Sequence, residues 1–414
     1  MDIKISNKTL IKNSLMLYIM YFAQILFPVI TLPYLTRVLT LNAYGVNVYV
    51  NTTMSYVSLI IEFGFMLSAT KDIVSAKNNK GEMGRIVGDV ISAKLLLALL
   101  SFVLLIGMIL KIDLLRSYYL FTLLAFLANA LNIFLPDFLF RGLEEMEVLT
   151  YRFLFCKTVS TILIFIVIKS DADILMIPTL NILSSIIAVI MTLYCVYKRG
   201  IHIQMSGIHS AVVKLKDGFI YFISNFATTA FGALNTLLIG IFFSTSDVAF
   251  WGISMQVIGV AQGLYSPIIN SVYPNMLASK NIKLILKILT IFMPLIFICT
   301  IIGYYYADWI FIIIGGQKYI PASELFRWML PIMIFSFPGM LLGWPCLGAI
   351  GRVKETTAST ILAAVVQIAL IIILIIGNIF TPVNLAIARC ITELSLLGFR
   401  SFLCYRFKGE FSSF

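Results

Sequence analysis

Polar side chains recur at helical spacing in an otherwise apolar segment near the N-terminus. The members of this stripe are amides, hydroxyls and one carboxylate: Asn47, Asn51, Ser55, Ser58 and Glu62. Steps of three and four residues place them on one face of an α-helix. Such groups hydrogen-bond hydroxyl-rich ligands, and in lipid they are costly unless partnered or hydrated. The stripe therefore predicts a polar cavity, with helix–helix hydrogen bonding as the alternative.

Three other apolar segments carry weaker stripes of the same kind. The candidate cavity residues on them are Gln24 in the first segment, Asn225, Thr229 and Thr236 in the seventh, and Gln256 and Asn270 in the eighth. Hydrogen bonding between helices would explain any single stripe. Because the stripes fall on corresponding segments of both halves of the chain, a shared polar cavity is the favoured interpretation.

Charged groups within the apolar segments are few, and they are the candidates for electrostatic chemistry. Glu62, Asp137 and Glu393 are candidate coupling acids, because a carboxyl group in such a setting can change its protonation state with its surroundings. Glu62 is favoured, since it has no cation within one turn of its own helix, whereas Glu393 has Arg389 at i, i+4. Arg389 is either the structural partner of that acid or a cavity cation. Arg37, just beyond the first segment, is a headgroup-level anchor or a cationic lip.

The elements that must position these residues are membrane helices. The chain has 414 residues, 60% of them hydrophobic and 12% charged, and its mean hydropathy is +1.00. A bilayer core of roughly 30 Å needs about 20 apolar residues per helix. We predict an all-α polytopic membrane protein with twelve spans, at 10–33, 43–66, 89–110, 117–139, 151–168, 174–197, 218–243, 248–273, 284–306, 325–348, 356–378 and 383–405.

The basic residues indicate the orientation. Most of the 30 Lys and Arg fall on one side if both termini are cytoplasmic, as the positive-inside rule requires. The net charge of +11 is spread over many short loops, which argues against a nucleic-acid partner. Lys94 and Lys157 are interpreted as side chains that snorkel to the cytoplasmic surface. The six cysteines form no clustered motif, so we predict neither a disulfide nor a metal site.

The two halves of the chain look related. Tyr44-Gly45 at the start of the second span recurs as Trp251-Gly252 at the start of the eighth. We predict an N-terminal six-helix lobe at 1–199, a cytoplasmic linker at 200–217 and a C-terminal six-helix lobe at 218–414. Two lobes of the same orientation imply a pseudo-two-fold axis along the membrane normal, with a pathway between the halves. The linker is either an amphipathic surface helix or a solvated tether.

Four stretches resemble a known family. PYLTRVLTLNAYG (33–45), EFGFMLSATKD (62–72), PDFLFRGLEEM (136–146) and NTLLIGIFFSTSDVAFWG (235–252) are similar to signature stretches of bacterial O-antigen and related polysaccharide flippases. These flippases belong to the multidrug, oligosaccharidyl-lipid and polysaccharide exporter superfamily. The resemblance covers essentially the whole chain and implies two six-helix lobes around a cavity.

The resemblance also implies a function. The expected activity is translocation of an undecaprenyl-pyrophosphate-linked oligosaccharide from the inner to the outer leaflet of the bacterial cytoplasmic (inner) membrane. The product would serve surface polysaccharide synthesis, either O-antigen for lipopolysaccharide or capsule. Membrane lipids, a polysaccharide polymerase and the chain-length machinery are the expected partners. We predict no cofactor, and the sequence has no GxxxxGK[ST] motif for ATP, so energy would come from an ion gradient or product removal.

Three other classes compete with this function. A structural or lipid-scaffold role would not require matched polar stripes in both halves of the chain. A drug or cation antiporter of the same superfamily would share the fold. A membrane-embedded polysaccharide polymerase is an enzyme alternative, and it would need a sizeable catalytic loop rich in acids or arginines. The longest predicted external joint, 307–324, has only Asp308, Lys318 and Glu324 as charged residues. We therefore expect a transporter and not an enzyme.

Overall fold

The computed structural model describes residues 7–412, apart from the side chains of 7–11, 220, 224 and 227–231. The prediction of an all-α protein is confirmed, because helices joined by short turns make up this part of the chain. The chain divides into two compact units, Met1–Thr229 and Ala230–Phe414. The predicted lobe boundaries and the axis between the lobes stay predictions.

The first unit contains nine complete helices and the beginning of a tenth. Helices α2 and α4 each begin at a side-chain cap, since Thr40 accepts from the Ala43 amide and Asn79 from the Glu82 amide. The helices are α1 (Asn7–Val38), α2 (Leu41–Glu62), α3 (Phe65–Ser75), α4 (Lys80–Lys111), α5 (Asp113–Ser117), α6 (Tyr119–Leu131), α7 (Asp137–Gly142), α8 (Met146–Val167), α9 (Met176–Lys198) and α10 (Ile208–Phe242).

A sharp break separates α2 from α3 directly after Glu62. Phe63 has φ 41° and Gly64 has φ 80°, which is the left-handed region that non-glycine residues rarely adopt. The Phe63 ring stacks on Phe222 of α10 with centroids 4.4 Å apart. A Cβ on Gly64 would lie 2.5 Å from the Cβ of Tyr221. The break therefore depends on close packing against α10, and it ends the polar stripe at Glu62.

The first half of the predicted linker is packed against α4. The backbone from 201 to 206 crosses a glycine face, where a Cβ on Gly84 or Gly88 would overlap the carbonyl oxygens of His202 and Gln204. The backbone N–H of Gln204 donates to the backbone carbonyl of Gly84 at 3.2 Å. Helix α10 then begins at Ile208. The segment 201–206, called the strap below, is thus neither a free tether nor a helix.

The second unit contains the rest of α10 and eight further helices. Its helices are α11 (Thr245–Gly263), α12 (Tyr265–Ser279), α13 (Ile282–Tyr305), α14 (Ala307–Gly315), α15 (Pro321–Met329), α16 (Pro331–Leu341), α17 (Val353–Ile376) and α18 (Pro382–Arg406). The apolar core of α12, α13 and α16 includes Met276, Ile285, Phe337 and Leu341, all fully buried.

A second break follows α16, in the proline-rich tenth span. Gly343 leaves helical geometry with ψ −114°. The guanidinium of Arg400 donates to the Gly339 carbonyl at 2.7 Å and to the hydroxyls of Ser359 and Thr360 at 3.0 Å. A buried arginine therefore bonds to the backbone of α16 next to this break.

Ten helical stretches of the described chain are long and apolar enough to cross a membrane. The protein is therefore a multi-pass membrane protein. Two of the twelve predicted spans are outside this set, although both are helical. Helix α2 contains many amides and hydroxyls. In α10 only the stretch Gly232–Phe242 is counted, because the side chains of 227–231 lie outside the described residues. All twelve predicted spans coincide with helices.

Candidate functional site

A polar cavity of about 490 Å³ lies within the first unit. We call it cavity A. Residues of α2, α6, α8 and α9 form most of its wall, and amides and hydroxyls are frequent among them. The polar and charged members of the wall are Asn51, Ser58, Glu62, Asn129, Asn132, Asp137, Arg152, Lys157, Asn181, Ser184 and Ser185.

The stripe on α2 lines this region. Asn51, Ser58 and Glu62 are in the wall of cavity A, and Ser55 lines an adjoining hollow of about 460 Å³. Ser58 donates to the Asn129 side-chain oxygen at 2.6 Å. Asn47 is buried and accepts from the Asn51 amide at 2.8 Å. The stripe thus combines both interpretations, since it faces a cavity and also bonds to a neighbouring helix.

Glu62 is ion-paired, contrary to what its own helix indicated. The Nζ of Lys94, on α4, lies 2.7 Å from a carboxylate oxygen of Glu62. The Lys94 side chain is 2% exposed, whereas that of Glu62 is 42% exposed. The interpretation of Lys94 as a snorkelling lysine was wrong, because its ammonium is buried against an acid of another helix. One partner of the pair is therefore accessible and the other is not.

Asp137 and Arg152 form a two-pronged ion pair beside cavity A. The two guanidinium nitrogens of Arg152 lie 2.7 and 2.8 Å from the two carboxylate oxygens of Asp137. Arg152 also donates to the hydroxyl of Thr192 at 3.1 Å. Bidentate geometry of this kind is among the strongest side-chain interactions. We infer that this pair fixes α7 to α8.

Lys157 is the cation of cavity A that lacks an acid. Among the described side chains, none forms an ion pair with Lys157. Helix α8 begins at Met146, so at 1.5 Å per residue Lys157 lies about 16 Å from that end, near the middle of this helix. The predicted span began at 151, and the interpretation of Lys157 as a snorkelling side chain stays a prediction.

A second cavity of about 310 Å³ adjoins the first. We call it cavity B. It lies between α1, α8 and α9, and Phe153, Lys157 and Asn181 line both cavities. Gln24, which the sequence placed in a polar cavity, is in the wall of cavity B. Lys157 therefore stands where the two cavities meet.

The second unit has a buried polar network of its own. Gln367 donates to the Asn235 side-chain oxygen at 3.0 Å and accepts from Thr392 at 2.7 Å. Helix α18, which contains Thr392, also contains the predicted pair of Arg389 and Glu393. A guanidinium nitrogen of Arg389 lies 2.9 Å from a carboxylate oxygen of Glu393, and the two side chains are 8% and 7% exposed. That burial favours the structural interpretation of the pair over a cavity cation.

The comparison with protein families settles what kind of chain this is. Residues 10–280 match the model of the family described as polysaccharide biosynthesis protein. The chain belongs to that family. The match covers the whole of cavities A and B.

Two named relatives are similar in sequence to this chain. The chain is 27% identical over 286 residues to a protein of Escherichia coli (strain K12) named "Putative O-antigen transporter", covering 67% of this chain and 69% of the relative. A protein of the same name from Shigella dysenteriae is 27% identical over 363 residues, 86% of this chain and 91% of the relative.

Two solved structures share the fold of this family member. The lipid II flippase MurJ in its inward closed conformation has a TM-score of 0.69 at 15% identity, over 95% of this chain and 87% of MurJ. An inward-facing multidrug resistance MATE family transporter of the MOP superfamily has a TM-score of 0.68 at 12% identity, over 92% of this chain and 98% of that one. These likenesses confirm the predicted helical fold.

Several sequence-predicted residues lie outside both cavities. Arg37 is at the exposed end of α1, Asn225 is on an exposed face of α10 and Asn270 is at an exposed position on α12. Thr236 is on the buried side of α10, and Gln256 is partly buried on α11. The side chain of Thr229 lies outside the described residues. Their part in a shared cavity stays a prediction.

Sequence analysis missed most of the wall that other helices contribute. Arg152, Lys157, Asn129 and Asn181 were not among the candidate residues, although all four line cavity A. A signal existed on α9, where Asn181, Ser184 and Ser185 lie close to one face at steps of three and four. Lys157 was interpreted as a snorkelling side chain because the start of that helix was placed too late.

Proposed function

We propose that the protein carries an undecaprenyl-pyrophosphate-linked oligosaccharide from the inner to the outer leaflet of the bacterial cytoplasmic membrane. The carried unit would enter O-antigen or capsule synthesis. The observation that supports this most strongly is Lys157, a cation without an acid near the middle of α8, beside a cavity of amides and hydroxyls. Family membership and the names of the relatives support the same conclusion.

The substrate class fits the chemistry of cavity A. A lipid-linked oligosaccharide has a polar head that cannot enter hydrocarbon and a tail that stays in it. Asn129, Asn181 and Ser184 offer the donors and acceptors that sugar hydroxyls require. Lys157 offers a charge-assisted hydrogen bond to a phosphate oxygen. A cation within a membrane helix is expensive unless it has a function or a partner, and a substrate phosphate would be that partner.

The charges of cavity A favour a flippase over a cation antiporter. An organic cation would need a carboxylate that is free to receive it. Both acids of the wall are already engaged, Glu62 by Lys94 and Asp137 by Arg152. The uncompensated charge is the positive one of Lys157, which attracts anions. We therefore place the protein with the lipid-linked oligosaccharide flippases, with a polymerase as the next user of its product and with both termini in the cytoplasm.

The test is replacement of Lys157 in a strain that lacks the chromosomal copy of the gene. A charge-assisted hydrogen bond contributes about 1.5–3 kcal/mol, so Lys157→Ala should lower transport about 10- to 100-fold at normal protein level. Lipid-linked repeat units should then accumulate in the inner leaflet, and surface polysaccharide should fall. Lys157→Arg keeps the charge and should retain most transport.

The matched control is Thr158→Ala on the same helix. Thr158 is exposed and lines neither cavity, so this variant should behave as the parent protein. Full surface polysaccharide in the Lys157→Ala strain would exclude Lys157 as the phosphate contact and remove the main support for the proposal.

A further inference from the structure

Cavities A and B differ in their charge. Cavity A has two carboxylates in its wall, Glu62 and Asp137. The wall of cavity B contains Lys157 as its one charged residue, and its other members are neutral: Gln24, Phe27, Pro28, Thr31, Phe153, Ser160, Thr161, Ile164 and Asn181. Both carboxylates of cavity A are already ion-paired, Glu62 with Lys94 and Asp137 with Arg152. The wall of cavity B contains no acid that would compete with an anion for Lys157.

Two hydroxyls of cavity B have no hydrogen-bond partner among the described residues. Ser160 is 5% exposed and Thr161 is 9% exposed, and both line the cavity. Other hydroxyls on these helices donate to the carbonyl four residues earlier, as Thr150 and Thr192 do. Both hydroxyls can therefore donate to whatever occupies the cavity. Their burial beside Lys157 points to a ligand that accepts hydrogen bonds.

The amides near Lys157 extend the same surface. Asn181 lines both cavities, and Gln24 lines cavity B from the α1 side. With Lys157, Ser160 and Thr161 they can present five donors from three helices to one space. A phosphate group accepts several hydrogen bonds at once, whereas the sugar residues need mixed donors and acceptors such as cavity A offers.

We propose that cavity B is the site of the substrate's diphosphate group, and that the oligosaccharide occupies cavity A. This inference rests on the proposed function and divides its substrate between the two cavities. Lys157 is the contact common to both parts, because it stands at their junction. The ligand class of cavity B is therefore a lipid diphosphate, recognised through charge and hydroxyl donors and not through its sugar.

The test uses a lipid diphosphate without sugar. Farnesyl diphosphate is titrated into the full-length protein in lipid nanodiscs, with farnesol as the uncharged control. The double variant Ser160→Ala/Thr161→Val removes two hydroxyls, each contributing about 0.5–1.5 kcal/mol, and should weaken farnesyl diphosphate binding about tenfold. Farnesol binding should not change. Ser185→Ala, in cavity A alone, is the matched control and should leave both affinities unchanged.

A second variant covers the case in which the double variant does not fold. Gln24 is exposed and lines cavity B, so Gln24→Ala should be tolerated and should also weaken farnesyl diphosphate binding. The proposal is overturned if Ser185→Ala weakens that binding as much as the cavity B variants do. It is also overturned if the parent protein translocates the lipid-linked oligosaccharide but does not bind farnesyl diphosphate. Absence of translocation by the parent protein would instead reject the proposed function.

Discussion

The ion pair between Asp137 and Arg152 should be structural, and its strength can be worked out from the geometry. Asp137→Asn keeps the shape of the side chain and removes its charge. It weakens two charge-assisted hydrogen bonds of 2.7 and 2.8 Å and leaves the guanidinium, 10% exposed, with Thr192 as its remaining partner. Breaking a buried pair costs about 3–5 kcal/mol.

The lower end of that range applies, because the Asp137 side chain is 25% exposed and part of its charge is hydrated. A loss of about 3 kcal/mol corresponds to a fall in the unfolding midpoint of roughly 6–12 °C for a unit of this size. The double variant Asp137→Leu/Arg152→Leu removes both charges together and should recover most of the loss, since apolar replacement of a buried pair is often neutral.

The assay is thermal unfolding of the purified protein in detergent, with membrane protein level as a second readout. The single variant should unfold at a clearly lower temperature, and the double variant close to the parent. An Asp137→Asn protein that unfolds within a degree of the parent would refute the reasoning. Asp137 would then become a candidate coupling acid again, as the sequence first indicated.

Two further predictions concern other contacts of the first unit. Glu62→Gln should lower transport at least tenfold, because it removes the accessible acid. It also leaves Lys94 as a buried charge without its acid, which should lower the protein level. The double variant Glu62→Gln/Lys94→Met removes that charge and should restore the protein level but not transport. Wild-type transport by the double variant would exclude Glu62 as the coupling acid. Gly84→Ala should push the strap away from α4 and increase protease cleavage at 201–206 several-fold, because its Cβ would overlap a carbonyl oxygen. Gly107→Ala, on the same helix with open space at its Cβ, is the control, and equal cleavage of both variants would disprove the packing role.

The sequence was sufficient for properties that depend on one helix at a time. The lengths of the segments without charged residues predicted the spans. Helical spacing predicted the polar face of α2, and the i, i+4 spacing predicted the pair of Arg389 with Glu393. These patterns are local, so no knowledge of neighbouring helices was needed.

Contacts between distant helices could not be derived in the same way. The pairing of Glu62 with Lys94 joins α2 to α4, and nothing in either segment indicates the other. Lys157 was missed for a different reason, since a shift of five residues in the predicted start of α8 changes a cation near the middle of the helix into one near its end. By sequence alone, the glycines of α4 could pack against either a helix or an extended segment. In the structure they pack against the strap, which is not helical.

The most direct test of the central claim is translocation by the purified protein in proteoliposomes. A fluorescent undecaprenyl-pyrophosphate-linked oligosaccharide is placed in both leaflets, and a membrane-impermeant quencher reports the fraction that reaches the outer one. The parent protein should make the protected pool accessible much faster than protein-free liposomes, and Lys157→Ala should lower that rate about 10- to 100-fold. Equal rates for the parent protein and for protein-free liposomes, with and without an ion gradient, would contradict the account.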